Sequence, residues 1–389
     1  MSLRRRNFIV GAAGVATMST STLDEVDSPS IRKEAEGSSK DFRESVSVKD
    51  FGAVGDGKAD DTLAIQSAVE YCRTHQIGIL RFPAALPRSF FKITASIKIN
   101  FPLVLEGLGE NSTQVIAYGL RSGQYIFDFE CRSMDNVEHA GVKMLTVRSD
   151  NGKPSGVRLK NVSYIVVSSL RLYALKDGIV IEGTRCFSHS YYGLNSVLID
   201  GATVLFSNGF SGGGQYAFFG CTFVGRTGVT VPATATLDNL SFAGCNWEDC
   251  ISFGLDLQGT IAGVSVAGCR TERGKTHDFL FRPANRGSYI AGVSISGTVF
   301  SASDSSLSDR IVLGGAFGRV SGFQISGNVV THGADQFGGK LVALNGEVGS
   351  GTVSGNVIRG RNEHGAGAVN SNPTEVSVFG NENISGLLD

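Results

Sequence analysis

The sequence lacks an excess of charge of either sign, has little proline and contains no long apolar run. Its 35 basic and 36 acidic residues give a formal net charge of −1, whereas proteins bind nucleic acids and anionic membranes through a basic excess. We therefore expect no nucleic-acid partner. No apolar stretch reaches the roughly 20 residues that a membrane-spanning helix needs, so we expect no membrane span.

Patterns that would hold a metal ion or a cofactor are missing as well. The six histidines do not show the spacing of a zinc site, and we expect neither a metal nor a cofactor. The seven cysteines are an odd number, and a chain of 389 residues is long enough to bury a core without disulfide bonds.

The N-terminal segment carries three arginines before a short, mildly apolar run, in MSLRRRNFIVGAAGVATMST. The stretch Arg5-Arg6-Asn7-Phe8-Ile9 resembles a twin-arginine export signal, although no clear A-x-A cleavage site follows. The alternative is a frayed basic N-terminus. We interpret residues 1–45 as an export-signal-like segment and linker, and expect a periplasmic or extracellular protein.

Glycine is abundant, with 51 residues against 8 prolines, and it marks a repeat in the C-terminal half. Phrases such as FAGCNWED, VAGCRTER and TVSGNVIR recur at intervals of 24 to 30 residues. Each contains an alternating apolar run before its glycine, and a second short run lies between successive glycines. Such a period without a helical pattern predicts a parallel β-helix. The repeated glycines are Gly220, Gly244, Gly268, Gly297, Gly327, Gly355 and Gly380.

Aligning the repeats on these glycines predicts which side chains stack. Equivalent residues of successive coils lie about 4.8 Å apart, so like residues form columns. The residue after the glycine should point into the core. It predicts a buried column of reduced thiols, formed by Cys221, Cys245 and Cys269, and then a ladder of side-chain amides, formed by Asn328, Asn356 and Asn381. Alternation places Trp247 inside the core and Glu248 outside it.

An acidic stretch near the N-terminus reads VKDFGAVGDGKADDTLAIQSAV. Asp60-Asp61-Thr62 precedes the apolar stripe Leu63, Ile65, Ala68 and Val69, which predicts a helix N-cap and not a catalytic site. A short helix here covers the open first coil of the solenoid.

This stretch, with GILRFP, ITASIKI and LVLEGLGENSTQVI, resembles the N-terminal signature of the pectate-lyase-like, right-handed parallel β-helix superfamily. Related segments occur in polygalacturonase-like hydrolases, exo-glucanases and phage tailspike depolymerases. The resemblance covers residues 46–116 and implies an all-β, right-handed parallel β-helix with a short N-terminal helical cap. We expect the cap and first coils over 46–130 and the β-helix over 131–389.

The candidate active face comes from one outward column. Glu248 and Glu272 lie 24 residues apart, at the same position of adjacent coils, with Asp249 beside them. Two carboxyl groups of this kind predict a secreted glycoside hydrolase acting on an acidic or complex polysaccharide. Three arginines are candidate substrate-binding residues, because guanidinium groups pair with uronate carboxylates: they are Arg226, Arg270 and Arg273. A solvated, charge-balanced surface is the alternative.

Two further functions remain open from the sequence. A polysaccharide lyase would use His277, also a candidate substrate-binding residue, as a base beside Arg273 or Lys275. A phage tailspike-like protein would bind or depolymerise glycan, either as a monomer or as a homotrimer. A contact face for the trimer could use the outward apolar residues Val299, Val329 and Val357. In each case the expected partner is a polysaccharide.

Overall fold

A computed structural model describes residues 44–85, 89–131, 137–302, 308–332, 339–359 and 375–384. The export-signal-like segment lies almost entirely outside these residues, so export stays a prediction. Within the described part of the chain, 33 strands join into one parallel sheet that winds into a right-handed β-helix of about ten turns. The predicted fold class is confirmed.

Three ladders of stacked strands form the walls of the β-helix. The first ladder comprises Ser45–Ser47, Ile79–Arg81, Val104–Glu106, Gly141–Ser149, Val166–Leu175, His189–Tyr192, Ser211–Phe219, Thr236–Ala243, Thr260–Ala267, Val293–Ser296, Phe323–Ser326, Gly351–Ser354 and Val376–Phe379. Its strand Thr260–Ala267 also pairs with Tyr289–Ala291, which pairs in turn with Arg319–Ser321. A separate two-stranded sheet joins Val137–Glu138 to Val162–Ser163.

The second ladder begins with Phe91–Ile93 and Gln114–Ala117 and continues through the long strands Gly141–Ser149 and Val166–Leu175. Its later members are Asn195–Phe206, Thr222–Val231, Asn246–Glu248, Arg270–Gly274, Val299–Ala302, Val329–His332, Val357–Arg359 and Glu382–Ile384.

The third ladder contains Ile97–Ile99, Tyr125–Glu130, Ser155–Lys160 and Ile179–Glu182, followed by the second halves of Asn195–Phe206 and Thr222–Val231. It ends with Phe253–Leu257, Phe279–Phe281, Ile311–Leu313 and Val342–Leu344.

The corner between the first and second ladders explains the repeated glycines. All seven have positive φ values between 58° and 64°, a left-handed conformation in which glycine meets no steric penalty. The next residue turns inward, which creates the predicted columns. The cysteine column (Cys221, Cys245, Cys269) is buried and contains no disulfide. Below it, the Asn328 amide donates to Asn356 Oδ1 at 2.9 Å, and the Asn356 amide donates to Asn381 Oδ1 at 2.9 Å.

The core fills the interior between the ladders. Trp247 is 1% exposed, lies parallel to Phe223 with ring centroids 5.4 Å apart, and meets the ring of Phe279 edge-on. The prediction that Trp247 belongs to the core, and not to a sugar-stacking surface, is confirmed.

The N-terminal cap consists of a 3-10 turn, Val48–Phe51, and one α-helix, Thr62–His75. The helix buries Ile65, Ala68 and Val69 and packs against the first strands. Within the described residues, no helix is long and apolar enough to cross a bilayer.

The two aspartates before the helix have separate structural roles. Asp60 accepts a hydrogen bond from the Thr62 N–H at 3.0 Å, and so caps the helix. Asp61 is 1% exposed and makes no cap bond with its side chain. Its carboxylate accepts instead from the backbone N–H groups of Val54 at 2.6 Å and Gly55 at 3.1 Å, which fixes the preceding loop.

Candidate functional site

The outward face of the second ladder carries the predicted carboxyl pair. Glu248 and Glu272 are register partners on adjacent coils, between Val224 on one side and Ser301 on the other. Trp247 and Thr271 precede them and point into the core. Alternation along the strand therefore turns both glutamates toward solvent, where their side chains are 33% and 18% exposed.

Arg273 binds the three carboxylates of this face together. Its Nε and Nη2 donate to the two oxygens of Asp249 at 2.8 and 2.9 Å. Nη2 also donates to Glu248, while Nη1 reaches Glu272 Oε2 at 3.4 Å. Hydrogen bonds from Arg273 lower the pKa of Asp249, which keeps this carboxyl ionised at neutral pH.

Arg270 completes the cluster from the neighbouring column, with Nε 2.8 Å from Glu272 Oε1. We call Glu248, Asp249, Arg270, Glu272 and Arg273 the carboxylate cluster. Its three carboxylates exceed its two guanidinium groups by one negative charge. The arginines are more than half exposed, so solvent screens the pairs and their contribution to stability is small.

The local backbone explains why Asp249 and Arg273 project beside the glutamates. Both have a φ of 52° and occupy the corner directly after the outward column. Ala174 and Leu198 adopt the same left-handed conformation, with φ values of 52° and 57°, in earlier coils of this ladder. The conformation is thus a recurring corner of the fold, and the side chains found there are specific to these two coils.

Two predicted site residues lie elsewhere. Arg226 donates from Nε to the backbone oxygen of Asp200 at 2.7 Å and pairs with its carboxylate at 3.6 Å. His277 lies beside the third ladder, where Nδ1 is 2.8 Å from the carbonyl oxygen of Asp309. Five of the seven predicted residues are therefore brought together, and Arg226 and His277 are not among them.

A recess that the sequence did not reveal lies on the same ladder, several coils toward the N-terminus. It encloses about 190 Å³. Arg148 and Arg171 stand 4.9 and 5.9 Å from the centroid of the Tyr173 ring, and Glu110 lies at the rim. An alignment of the coils would have placed these side chains on one face. The sequence did not allow that alignment, because the glycine that marks each later coil is absent from these earlier coils.

Another recess, of about 310 Å³, lies beside the third ladder and contains Asp177, Glu182 and Tyr125. Burial raises the pKa of Asp177. The Tyr125 hydroxyl donates to Glu182 at 3.0 Å, and burial followed by the charge of Glu182 raises the pKa of Tyr125 to about 12. This recess therefore offers a second pair of carboxyl groups in unlike environments.

In the part of the chain that the structure describes, histidine, cysteine, aspartate and glutamate side chains do not gather in groups of three that could hold an ion.

A family model described as "Rhamnogalacturonase A/epimerase, pectate lyase-like" matches residues 45–272, more than half of the chain. The chain belongs to this family. The match includes Glu248, Asp249 and Glu272 and ends directly before Arg273. The superfamily resemblance of the N-terminal stretch is thereby confirmed. A search of curated proteins found no match.

Solved structures with the same fold come from viruses and from a bacterial surface. A tailspike protein of E. coli bacteriophage HK620, solved with a pentasaccharide, is 13% identical, with a TM-score of 0.65 over 88% of this chain and 67% of that chain. PfbA, a surface adhesin of Streptococcus pneumoniae, is 12% identical, with a TM-score of 0.57 over 87% and 90%. ORF18 of Geobacillus virus E2 is 19% identical, with a TM-score of 0.55 over 88% of this chain.

The chain spans only 60% of the length of the Geobacillus virus protein. At these identities, the likeness concerns the fold alone.

Proposed function

We propose that the protein binds an extended polysaccharide along the outward face of the second ladder and hydrolyses it at Glu248 and Glu272. The observation that carries this proposal is the pair itself, two solvent-facing carboxylates on adjacent coils in register. Glycoside hydrolysis requires one carboxyl group that donates a proton to the leaving oxygen and another that is ionised. The substrate class is an acidic or complex polysaccharide.

The spacing of the pair predicts the stereochemistry. Adjacent coils are separated by about 4.8 Å, and carboxyl groups about 5 to 5.5 Å apart are typical of retaining glycosidases. One glutamate then attacks the anomeric carbon while the other protonates the departing oxygen, and water later releases the sugar. The first product should therefore keep the anomeric configuration of the substrate, which proton NMR of early time points measures.

Arg273 must give up part of its contacts when a sugar enters. It holds Glu248 and Asp249 together, so a sugar seated against this pair displaces the guanidinium from one carboxylate. A carboxyl group that loses its cation and is covered by substrate has a raised pKa. Substrate binding would thus favour a proton donor at this position, while Asp249 keeps the arginine nearby.

The surroundings of the carboxylate cluster support a long ligand. Arg148, Arg171 and Tyr173 line a recess on the same ladder several coils away, where two guanidinium groups offer hydrogen-bond donors to a second part of an acidic glycan. A protein of this fold from bacteriophage HK620 was solved with a pentasaccharide, which supports polysaccharide as the partner. Export, as the N-terminal arginines predict, would bring the protein to such a substrate.

The lyase alternative has weaker geometric support. It pairs His277 with Arg273 or Lys275. Arg273 faces the carboxylates of the second ladder, whereas His277 lines a groove on the third. The binding-only alternative is supported by the adhesin fold match. For a trimer, the predicted contact residues Val299, Val329 and Val357 do form one outward, half-buried column, and light scattering on the folded chain would distinguish monomer from trimer.

The test is incubation with a panel of bacterial and plant polysaccharides, in which new reducing ends and ultraviolet absorbance are both recorded. We expect reducing ends without the absorbance of an unsaturated product. Glu248→Gln and Glu272→Gln should each lower turnover by about a hundredfold or more with folding unchanged. Glu106→Gln is the matched control, because Glu106 is 20% exposed and bound by Lys143 and Arg81, far from the cluster.

Three outcomes would contradict the proposal. Ultraviolet-absorbing products would make the protein a lyase. Tight binding of a polysaccharide without any product would make it a glycan-binding protein. Full activity in both glutamine variants, together with loss of activity in Asp177→Asn, would place the reaction in the recess of Asp177 and Glu182.

A further inference from the structure

A groove on the third ladder has a volume of about 480 Å³. Its floor contains Leu280 and Val312, which form a small apolar cluster with Ala343 outside the main core. These three residues follow Thr230 and Asp256 in one outward column of the third ladder. The groove lies where this column passes from Asp256 to apolar residues.

An aromatic ring and a guanidinium group form one wall of this groove. The Phe253 ring lies parallel to the His277 ring, with centroids 6.5 Å apart, and Arg282 stands 5.6 Å from the Phe253 centroid. The contacts of Arg282 with Asp256 are long, at 3.4 and 3.5 Å, and its side chain is 43% exposed. Its donors are therefore available to a ligand at little cost.

The hydrogen bonding of His277 leaves its other nitrogen available. Because the Asp309 carbonyl can only accept, Nδ1 at 2.8 Å must carry the proton. No partner for Nε2 is found among the described residues, and the ring lines the groove. Nε2 can therefore accept a hydrogen bond from a ligand hydroxyl.

The opposite wall is backbone. A Cβ atom on Gly314 would lie 1.9 Å from the carbonyl oxygen of Asn345, and one on Gly346 would lie 2.1 Å from the carbonyl oxygen of Gly315. Both glycines also have positive φ values, of 97° and 72°. Side chains are therefore excluded from this wall, and the groove stays open.

We propose that this groove is a second ligand site, for a molecule that joins a carboxylate to a ring with an apolar face. The apolar floor and the Phe253 ring suit the ring face, Arg282 suits the carboxylate, and His277 Nε2 suits a hydroxyl group of the ligand where one is present. None of the described residues that line the groove is acidic, and a ligand carboxylate would share Arg282 with Asp256, whose contacts with the guanidinium are long. The site does not depend on hydrolysis at the carboxylate cluster.

A carboxylate-bearing ring can be a uronic acid of a glycan or an aromatic acid. We would titrate the full-length protein with glucuronate, benzoate and glucose, and measure the dissociation constants by ligand-detected NMR. We expect at least one carboxylate to bind about tenfold or more tightly than glucose. Binding of glucuronate alone identifies a sugar acid as the ligand, and binding of benzoate alone identifies an aromatic acid.

Variants locate the binding. Arg282→Gln should weaken binding of the preferred probe by about tenfold. Phe253→Leu should also weaken binding, because this substitution removes the aromatic ring although leucine keeps the position apolar. Arg319→Gln is the matched control, because Arg319 is 54% exposed, is paired with Glu375 and does not line the groove. Equal binding of glucose, no binding of either carboxylate, or unchanged binding in Arg282→Gln and Phe253→Leu would overturn the proposal. Activity on polysaccharides does not enter these outcomes.

Discussion

Arg310 and Asp278 form an ion pair in the interior, and removing the arginine should strongly destabilise the protein. Arg310 is fully buried and Asp278 is 4% exposed, with Nη1 and Oδ2 3.4 Å apart. Arg310 also donates to the Ser308 carbonyl at 2.7 Å. In Arg310→Met, the carboxylate stays buried without its cation. Removing one partner of such a pair costs about 3 to 5 kcal/mol of unfolding free energy.

The loss should depend on pH in a defined direction. Burial raises the pKa of Asp278, and Arg310 opposes that shift, so removing Arg310 raises the pKa further. Aspartates of the unfolded chain have a pKa of about 3.9. As pH falls, Asp278 of the folded variant therefore takes up a proton before the same residue of the unfolded chain does. Protonation removes the buried charge, so the deficit relative to the parent protein is full at neutral pH and shrinks as pH falls.

Urea unfolding followed by the fluorescence of Trp247, which packs on Phe279, measures this deficit. The double variant Arg310→Met/Asp278→Leu is the control, because an apolar pair leaves no uncompensated charge and should recover most of the stability. A single variant as stable as the parent at pH 7, or a deficit that grows as pH falls, would refute the reasoning.

Four further predictions concern the parts that hold the chain in place. Asp61→Ala should lower the unfolding free energy by about 2 kcal/mol, because two loop amides lose their acceptor, and Asp60→Ala by about 1 kcal/mol; urea unfolding measures both. Burial opposes ionisation of Asp60, but hydrogen bonds from Thr62 and Thr94 lower its pKa, so its contribution should be present at neutral pH and disappear in acid. Asn356→Leu should cost about 2 kcal/mol or more in the same assay, since its neighbours in the amide ladder lose buried partners. The cysteine column should stay reduced, and a disulfide among its members in the mass spectrum of unreduced protein would contradict the register.

The fold was predictable because a β-helix repeats the same physical requirement in every coil. The left-handed corner between the first and second ladders favours glycine, and alternation after the corner decides which side chain enters the core. From these two rules, Trp247 is correctly placed inside and Glu248 outside, and Glu248 stands beside Glu272. For Arg273, the sequence predicted no more than that it could balance the charge of the neighbouring glutamates. The structure adds that one guanidinium group reaches three carboxylates.

Arg226 and His277 show where sequence reasoning fails. Both lie near corners, where the direction of a side chain depends on loop geometry and not on strand alternation. The third ladder has short strands without a glycine marker, so the register of its strands could not be predicted from the sequence. The stacking of Leu280 on Asp256 in one outward column was therefore not predicted either. The groove on that ladder was missed for the same reason.

The unequal repeat lengths have a consequence for how this protein can be altered. Leu257 pairs with Phe281 and Ile261 with Ile290, so residues 258–260 in one coil correspond to residues 282–289 in the next. The strands stay in register although the connecting segment has more than doubled in length, and the longer segment begins with Arg282 at the edge of the groove. Ligand preference can therefore change through insertions and deletions in this connection alone, while the stacked strands that provide stability keep their sequence.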